Sequence, residues 1–123
     1  MKTELAEFMA VFKLELDDLY EEAQEEVRDY IRRKEAHTVT EHVFCENVAL
    51  LQNEELCLRR FRAILDDLDP GEFADCESMT ARIHQRFVQH VEEGGCAPCT
   101  LALAERRMDR VRRLMENMAT CPT

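Results

Sequence analysis

Glycine and proline are scarce in this sequence, with three of each among 123 residues, and tryptophan is absent. Glycine and proline mark most turns, so a chain with so few has little room for a sheet of many short strands. Apolar residues make up 46% of the chain and charged residues 34%, which excludes a disordered composition. The length is that of one domain with one hydrophobic core. These features favour a single helical domain over residues 1–123.

Basic residues are fewer than acidic ones. The chain has 16 lysines and arginines and 26 aspartates and glutamates, which gives a formal net charge of -10. A chain of this charge repels phosphate backbones, so we expect no nucleic-acid binding. No apolar run approaches the ~18 residues of a membrane span, and the start lacks the basic and apolar regions of a secretory signal. We therefore expect no membrane association and a cytoplasmic location, where cysteine thiols stay reduced. The alternative is a disulfide framework of the six cysteines.

The first half of the chain carries two long stripes of apolar residues at helical spacing. One stripe predicts helix 1 over residues 3–35, and it consists of Leu5, Phe8, Phe12, Leu16, Leu19, Ala23, Val27 and Tyr30. Two seven-residue repeats predict helix 2 over residues 39–68, namely Val43, Leu50, Cys57 and Ile64, and Phe44, Leu51, Leu58 and Leu65. Thr38 and Glu41 have the spacing of a capping box at its start. These repeats predict a long antiparallel hairpin.

A strong turn signal, Asp69-Pro70-Gly71, separates this hairpin from the rest of the chain. Apolar spacing then predicts helix 3 over residues 76–92, ended by Gly94-Gly95, and helix 4 over residues 97–118. We predict an all-α four-helix bundle with a long N-terminal antiparallel hairpin and a shorter C-terminal hairpin. Helix 1 would be about 50 Å long, so part of its stripe stays uncovered. We expect a second copy to cover that part in a homodimer.

The sharpest chemical signal is the pair Cys96 and Cys99, separated by Ala-Pro at the predicted start of helix 4. Two thiolates at this spacing can close on one metal ion, and a helix N-terminus stabilises negative charge. Proline suits the first helical turn, where no backbone N–H is needed. The pair therefore predicts half of a metal site. The alternative interpretation is two incidental small residues at a helix start.

A complete metal site needs two further ligands. His90 ends the helix that leads into the cysteine pair and is the predicted third ligand, with Cys76 as the predicted fourth. Cys76 can join the site only if the chain bends, because an unbroken helix places it about 20 Å before His90. The other candidates for the fourth position are His84, His42 and Cys45. We expect zinc at this site, with iron as an alternative.

The segment His90-Val-Glu-Glu-Gly-Gly-Cys96-Ala-Pro-Cys99, followed by a helix rich in Ala, Leu, Glu and Arg, resembles the zinc-binding anti-sigma factor domain. The resemblance covers about residues 76–118. In that family a histidine precedes a Cys-x-x-Cys, an earlier cysteine completes a zinc site, and helices grip a sigma factor. The resemblance implies zinc at Cys76, His90, Cys96 and Cys99 and a transcription regulator as partner. The interval from histidine to cysteine is longer here than in the family.

The same Cys-Ala-Pro-Cys segment resembles the redox site of thioredoxin-type proteins, which lies in a β-α context that this sequence lacks. A dithiol at a helix start could still cycle between thiol and disulfide. Asn47 and Glu54 interrupt the apolar stripe of helix 2, and we interpret them as a polar gap where helices diverge or as polar residues that fix helix register. The alternative interpretation is a metal or ligand site in the core. No nucleophile–base pair, phosphate-binding loop or Glu-x-x-His motif occurs, so the sequence gives little support to an enzyme.

The leading functional prediction is a non-enzymatic regulatory or adaptor protein. It would bind one zinc ion near the Cys-x-x-Cys turn and a protein partner through a helical face. One alternative is a small dithiol redox protein that uses Cys96 and Cys99. Another is a purely structural helical dimer whose cysteines are incidental.

Overall fold

The computed structural model describes the backbone of residues 2–120 and the side chains of residues 3–118. Over this range the chain forms four α-helices and one 3₁₀ turn without any strand, which confirms the predicted all-α helical bundle. The helices are α1 (Lys2–Glu35), α2 (Glu41–Asp66), α3 (Cys76–Glu92) and α4 (Pro98–Thr120), and the 3₁₀ turn is Pro70–Glu72. None of these helices is long and apolar enough to cross a membrane.

The helices α1 and α2 form an antiparallel hairpin. Near its open end, Lys13 Nζ lies 3.0 Å from Asp66 Oδ1. At its closed end, Lys34 Nζ lies 3.2 Å from Glu41 Oε2. The turn between them passes through His37, which has a φ of 58° in the left-handed region.

The start of α2 differs from the prediction. The hydroxyl of Thr40 accepts a hydrogen bond from Val43 N at 3.2 Å, so Thr40 is the N-cap and α2 begins at Glu41. Thr38 donates its hydroxyl to Arg33 O at 3.1 Å and belongs to the end of α1. The predicted capping box of Thr38 and Glu41 is therefore wrong, because a second threonine lay closer to the helix.

The core lies where α3 and α4 cover the α1–α2 hairpin. Phe61 of α2 and Phe87 of α3 are stacked, with ring centroids 4.3 Å apart. Phe12 of α1 packs 6.1 Å from Phe87. The surrounding aliphatic and methionine side chains are also buried, among them Leu16, Leu58, Leu65, Met79, Ile83, Met108 and Val111. Burial of each large apolar side chain stabilises the fold by about 1.5–3 kcal/mol, so this cluster is the main source of stability.

An arginine of α4 also ties the two hairpins together. The guanidinium of Arg107 lies 2.7 Å from a carboxylate oxygen of Glu15, 2.9 Å from Asp18 and 3.3 Å from Glu22, all on α1. Its side chain is only 16% exposed, so solvent screens these ion pairs less than surface pairs. Arg107 therefore fixes the register of α4 on α1.

The second hairpin is shorter than the first, with helices of 17 and 23 residues against 34 and 26. Its turn reaches only the middle of α2, where Asn53 Nδ2 donates a hydrogen bond to Gly95 O at 2.8 Å. Beyond that level α1 and α2 continue without α3 or α4 beside them. We call residues 26–35 and 41–52 the distal hairpin. The rest of α1 and α2 is the covered end.

Candidate functional site

The turn between α3 and α4 is joined to α2 by a disulfide. Cys96 in the turn is bonded to Cys57 on α2, and their Cα atoms are 5.6 Å apart. Both residues are buried, at 0% exposure for Cys57 and 8% for Cys96. The sequence predicted reduced thiols, and the structure corrects this for these two cysteines. The bond holds the shorter hairpin against the middle of the longer one.

Two glycines allow the turn to approach α2. Gly94 and Gly95 have φ values of 96° and 91°, a region that residues with a Cβ rarely adopt. A Cβ on Gly95 would also lie 3.1 Å from Arg60 Nη1. The glycine pair therefore allows the chain to reverse direction after α3, which places Cys96 beside α2.

Cys99 is the second residue of α4, and its thiol is free and exposed. Pro98 occupies the first position, as the sequence predicted. The sulfur of Cys96 is bonded to Cys57 and so is not paired with Cys99. Three cysteines therefore meet near this turn, two joined and buried and one exposed.

His90 lies in the last turn of α3, on the same side of the core as the disulfide. Its ring packs edge-on against Phe61, with centroids 6.2 Å apart, and Phe61 is one helical turn after Cys57. Its Nε2 atom is buried and forms no hydrogen bond within residues 3–118. An imidazole nitrogen in this position is available to a hydrogen-bond donor or a metal ion.

Cys76, the predicted fourth ligand, opens α3 at the far end from His90. Fourteen residues of helix separate them, which is about 21 Å along the axis. α3 is unbroken over this stretch, so the bend that Cys76 would need to join the site is not there. Cys76 instead lines a cavity beside Leu5 and Met115, and burial raises the pKa of its thiol.

The remaining candidate ligands are also apart from the cysteine pair. His84 contacts Glu105 on α4, while His42 and Cys45 lie on the exposed first turns of α2. Across the part of the chain that the structure describes, no three His, Cys, Asp or Glu side chains are grouped to hold a metal ion. Zinc and iron therefore stay predictions from the sequence.

The distal hairpin exposes the continuation of the core stripe. Val43, Leu50 and Cys57 are seven residues apart and share one side of α2. Their exposed fractions are 39%, 69% and 0%. This side of α2 therefore becomes exposed to solvent within two helical turns of the disulfide. The α1 residues at this level are half-buried or exposed, namely Val27, Tyr30 and Ile31.

Acidic side chains crowd the base of the distal hairpin, whereas the basic side chains at its tip are each paired with a carboxylate of the same chain. Just beyond its base, at the start of the covered end, the pKa of Glu54 is raised by partial burial and then by three neighbouring carboxylates, those of Glu26, Glu22 and Glu55. At its tip the last turn of α1 is basic, with Arg32, Arg33 and Lys34. Ion pairs at the tip, such as Arg33 to Asp29 at 2.9 Å, are exposed and contribute about 0–1 kcal/mol each. Asn47, between the two ends, donates to Val43 O at 2.8 Å within its own helix.

Comparisons with protein-family models, with curated proteins and with solved structures find no match to this chain. The resemblance of residues 76–118 to zinc-binding anti-sigma factor domains stays a prediction. Two features of the chain's own residues bear on its function. One is the three-cysteine turn, and the other is the exposed distal hairpin.

Proposed function

We propose that this chain is a non-enzymatic adaptor protein that binds protein through its distal hairpin, and that the partner there is a second copy of the chain. One observation carries the proposal. Cys57 is completely buried, whereas Leu50, on the same side of α2 two turns away, is 69% exposed. An apolar stripe that leaves a core and continues into solvent is typical of a surface that another protein covers.

A second copy matches this surface in shape. Two distal hairpins laid side by side in opposite directions would form a four-helix arrangement, with two helices from each copy. The covered end already has this arrangement, with α3 and α4 packed on α1 and α2. The uncovered stretch of α1 is about 15 Å long in each copy, so the two stretches match in length.

A second copy also matches the surface in charge. In a two-fold arrangement with opposite directions, the tip of one hairpin lies beside the base of the other. Arg32 and Arg33 would then approach the carboxylates around Glu54. Burial is the main cause of the raised pKa of Glu54, and positive charge at this position offsets the second cause, the repulsion from neighbouring carboxylates. Two copies packed in the same direction would instead bring the like-charged bases together.

The test is the mass of the protein in solution, measured by sedimentation equilibrium over the micromolar range. Wild-type chain is expected to be dimeric at the upper end of this range. Leu50→Glu is expected to be monomeric, because a charge replaces an apolar contact in the interface. Leu14→Glu is the matched control, since Leu14 is 65% exposed on the covered end. A monomeric wild type, or a dimer lost only in the control, would refute the proposal.

A charge exchange tests the orientation of the two copies. Arg33→Glu and Glu54→Arg should each weaken the dimer about ten-fold, since each places like charges at the tip–base contact. The double variant restores opposite charges and should recover most of the wild-type affinity. Additive weakening in the double variant would show that tip and base do not meet.

A second candidate function is thiol–disulfide exchange, and the observation that favours it is the free thiol of Cys99 three residues after the bonded Cys96. Attack by the Cys99 thiolate on Cys96 Sγ would form a Cys96–Cys99 bond and break the Cys57–Cys96 bond. Cys57 would leave as a thiolate and take up the proton that Cys99 released. A substrate dithiol could then reduce the Cys96–Cys99 disulfide by attack at the exposed Cys99, which would return both cysteines to thiols and oxidise the substrate to a disulfide.

Disulfide mapping of the non-reduced chain by mass spectrometry tests this candidate. After incubation at mildly alkaline pH, exchange predicts a single peptide that contains an internal Cys96–Cys99 bond, alongside pairs of peptides joined through Cys57–Cys96. Cys99→Ser should contain only the latter, and Cys45→Ser, which removes another exposed thiol, should behave like wild type. Finding only Cys57–Cys96 in every variant would leave the disulfide as a structural bond.

A further inference from the structure

A cavity lies at the opposite end of the molecule from the distal hairpin. It forms where the start of α1, the start of α3 and the last third of α4 come together, and its volume is about 670 Å³. Pockets for small organic ligands span about 300–1,000 Å³, so this cavity has the size of a ligand site.

The cavity has an apolar lining on two of its walls. Leu5 and Phe8 contribute from α1, and Met115 and Met118 from α4. Phe8 is fully buried, whereas Met118 is exposed at the mouth. Methionine is flexible and polarizable and adapts to ligands of varied shape. These walls suit an alkyl or aromatic group.

The polar residues around the cavity are mostly acidic. Among the side chains of residues 3–118, five carboxylates and one guanidinium line it, a net charge of -4, and they belong to Glu4, Glu7, Asp75, Glu77, Glu116 and Arg112. The single arginine is engaged elsewhere, since its Nη2 donates to Thr80 Oγ1 at 2.5 Å. Asp75 caps α3 by accepting from Ser78 N at 2.8 Å. The rim therefore presents a strong negative potential above an apolar floor.

We infer that this cavity is a binding site for a small organic cation with an apolar tail. The tail would lie against Met115 and Met118, above the edges of the buried Leu5 and Phe8. The cationic group, such as an ammonium, would lie among Glu4, Glu7 and Glu77 at the rim. An anion of the same shape meets repulsion from the rim, and a neutral molecule gains no electrostatic attraction there. The cavity lies far from the distal hairpin, so this inference is independent of the dimer.

Cys76 provides a reporter inside the cavity. It is a partly buried free thiol in the cavity wall, whereas Cys45 and Cys99 are free thiols exposed elsewhere. The probe is octyltrimethylammonium below its micelle concentration, with octyl sulfate and octyl glucoside as anionic and neutral probes of the same tail. Alkylation of each cysteine by iodoacetamide is followed by mass spectrometry. We expect the cationic probe to slow alkylation of Cys76 several-fold and to leave Cys45 and Cys99 unchanged.

Rim variants test the charge argument in the same assay. Glu4→Gln, Glu7→Gln and Glu77→Gln combined should weaken binding of the cation about ten-fold, measured also by calorimetry. The matched control combines Glu21→Gln, Glu35→Gln and Glu92→Gln, three exposed carboxylates that do not line the cavity. Equal protection by octyl sulfate, no protection by the cation, or equal weakening in the control would each overturn the inference.

Discussion

The two ends of the α1–α2 hairpin carry the same apolar repeat but have different surroundings. At the covered end Cys57, Phe61 and Leu65 are buried beneath α3 and α4. In the distal hairpin Val43 and Leu50, on the same side of α2, face solvent. The repeat specifies where a helix would bury its side chains, and neighbouring helices decide whether it does. The difference between the two ends therefore identifies the distal hairpin as a surface that carries the apolar repeat but is not packed against α3 or α4.

The largest expected effect compares two phenylalanines of α2. Phe61→Ala should destabilise the fold by about 4 kcal/mol, because it leaves a cavity beneath the stacked ring of Phe87. Phe44→Ala, in the half-exposed distal hairpin, should cost less than about 2 kcal/mol in dilute protein. Urea unfolding at low protein concentration measures both values. Equal costs would show that the distal hairpin is as well covered as the core.

Removal of the disulfide should have the next largest effect. The bond closes a sequence separation of 39 residues, so Cys57→Ala with Cys96→Ala should lower stability by about 3–4 kcal/mol. Cys45→Ala, at an exposed free thiol, should change stability by less than about 0.5 kcal/mol. Urea unfolding with and without reductant provides the measurement. If reductant leaves wild-type stability unchanged, the bond does not hold the two hairpins together.

A smaller effect is expected at the brace between α1 and α4. Arg107→Ala should lower stability by about 1–2 kcal/mol, because three carboxylates on α1 lose their shared cation and repel one another. Arg106→Ala, at an exposed neighbour, should cost less than about 0.5 kcal/mol. Thermal unfolding of the two variants is the comparison. Equal losses would contradict a brace formed specifically by Arg107.

The smallest expected effect is a gain, at Glu54. Its pKa in the folded chain is raised above the ordinary value of 4.5, so ionisation of Glu54 costs stability at neutral pH. Glu54→Gln should therefore stabilise the single copy by at most about 0.5 kcal/mol at neutral pH, after allowance for solvent screening. The gain should fade as pH falls through the raised pKa and below 4.5. A gain that grows towards low pH would contradict this sign.

The same substitution should act in the opposite direction on the dimer. Loss of the Glu54 charge removes a partner for the basic tip of the second copy, so association should weaken. Dilute samples of Glu54→Gln therefore report the stability of the single copy, and concentrated samples report the affinity of the dimer. If Glu54→Gln strengthened association instead, the tip would not lie at the base.

The sequence was sufficient to predict most of the fold. The stripes of α1 and α2 are long and regular, and Asp69-Pro70-Gly71 marks a break between the hairpins, so helical spacing alone predicts an all-α bundle. The start of α2 was misjudged because Thr38 and Thr40 both suit a cap and only backbone geometry distinguishes them. Local choices of this kind depend on a few hydrogen bonds that spacing does not encode.

The candidate site was less predictable than the fold. Cys96 and Cys99 are near in sequence, and their spacing predicts that they act together as half of a metal site. In the structure Cys96 is instead bonded to Cys57, which lies on α2. The place of Cys57 in the apolar repeat of α2 predicts that it is buried. The repeat does not predict which loop packs against it. Cys76 shared a helix face with His90, and an unbroken helix kept the two apart. Contacts between distant segments follow from how helices pack, which sequence spacing does not determine.

Hydrogen–deuterium exchange followed by mass spectrometry tests the central claim most directly. Peptides from the distal hairpin and from the covered end of α2 are compared at low and at high micromolar protein concentration. The account predicts that amides of residues 26–35 and 41–52 exchange more slowly at the higher concentration, while those of residues 57–66 do not change. Fast exchange of the distal hairpin that stays the same across the whole range would contradict it.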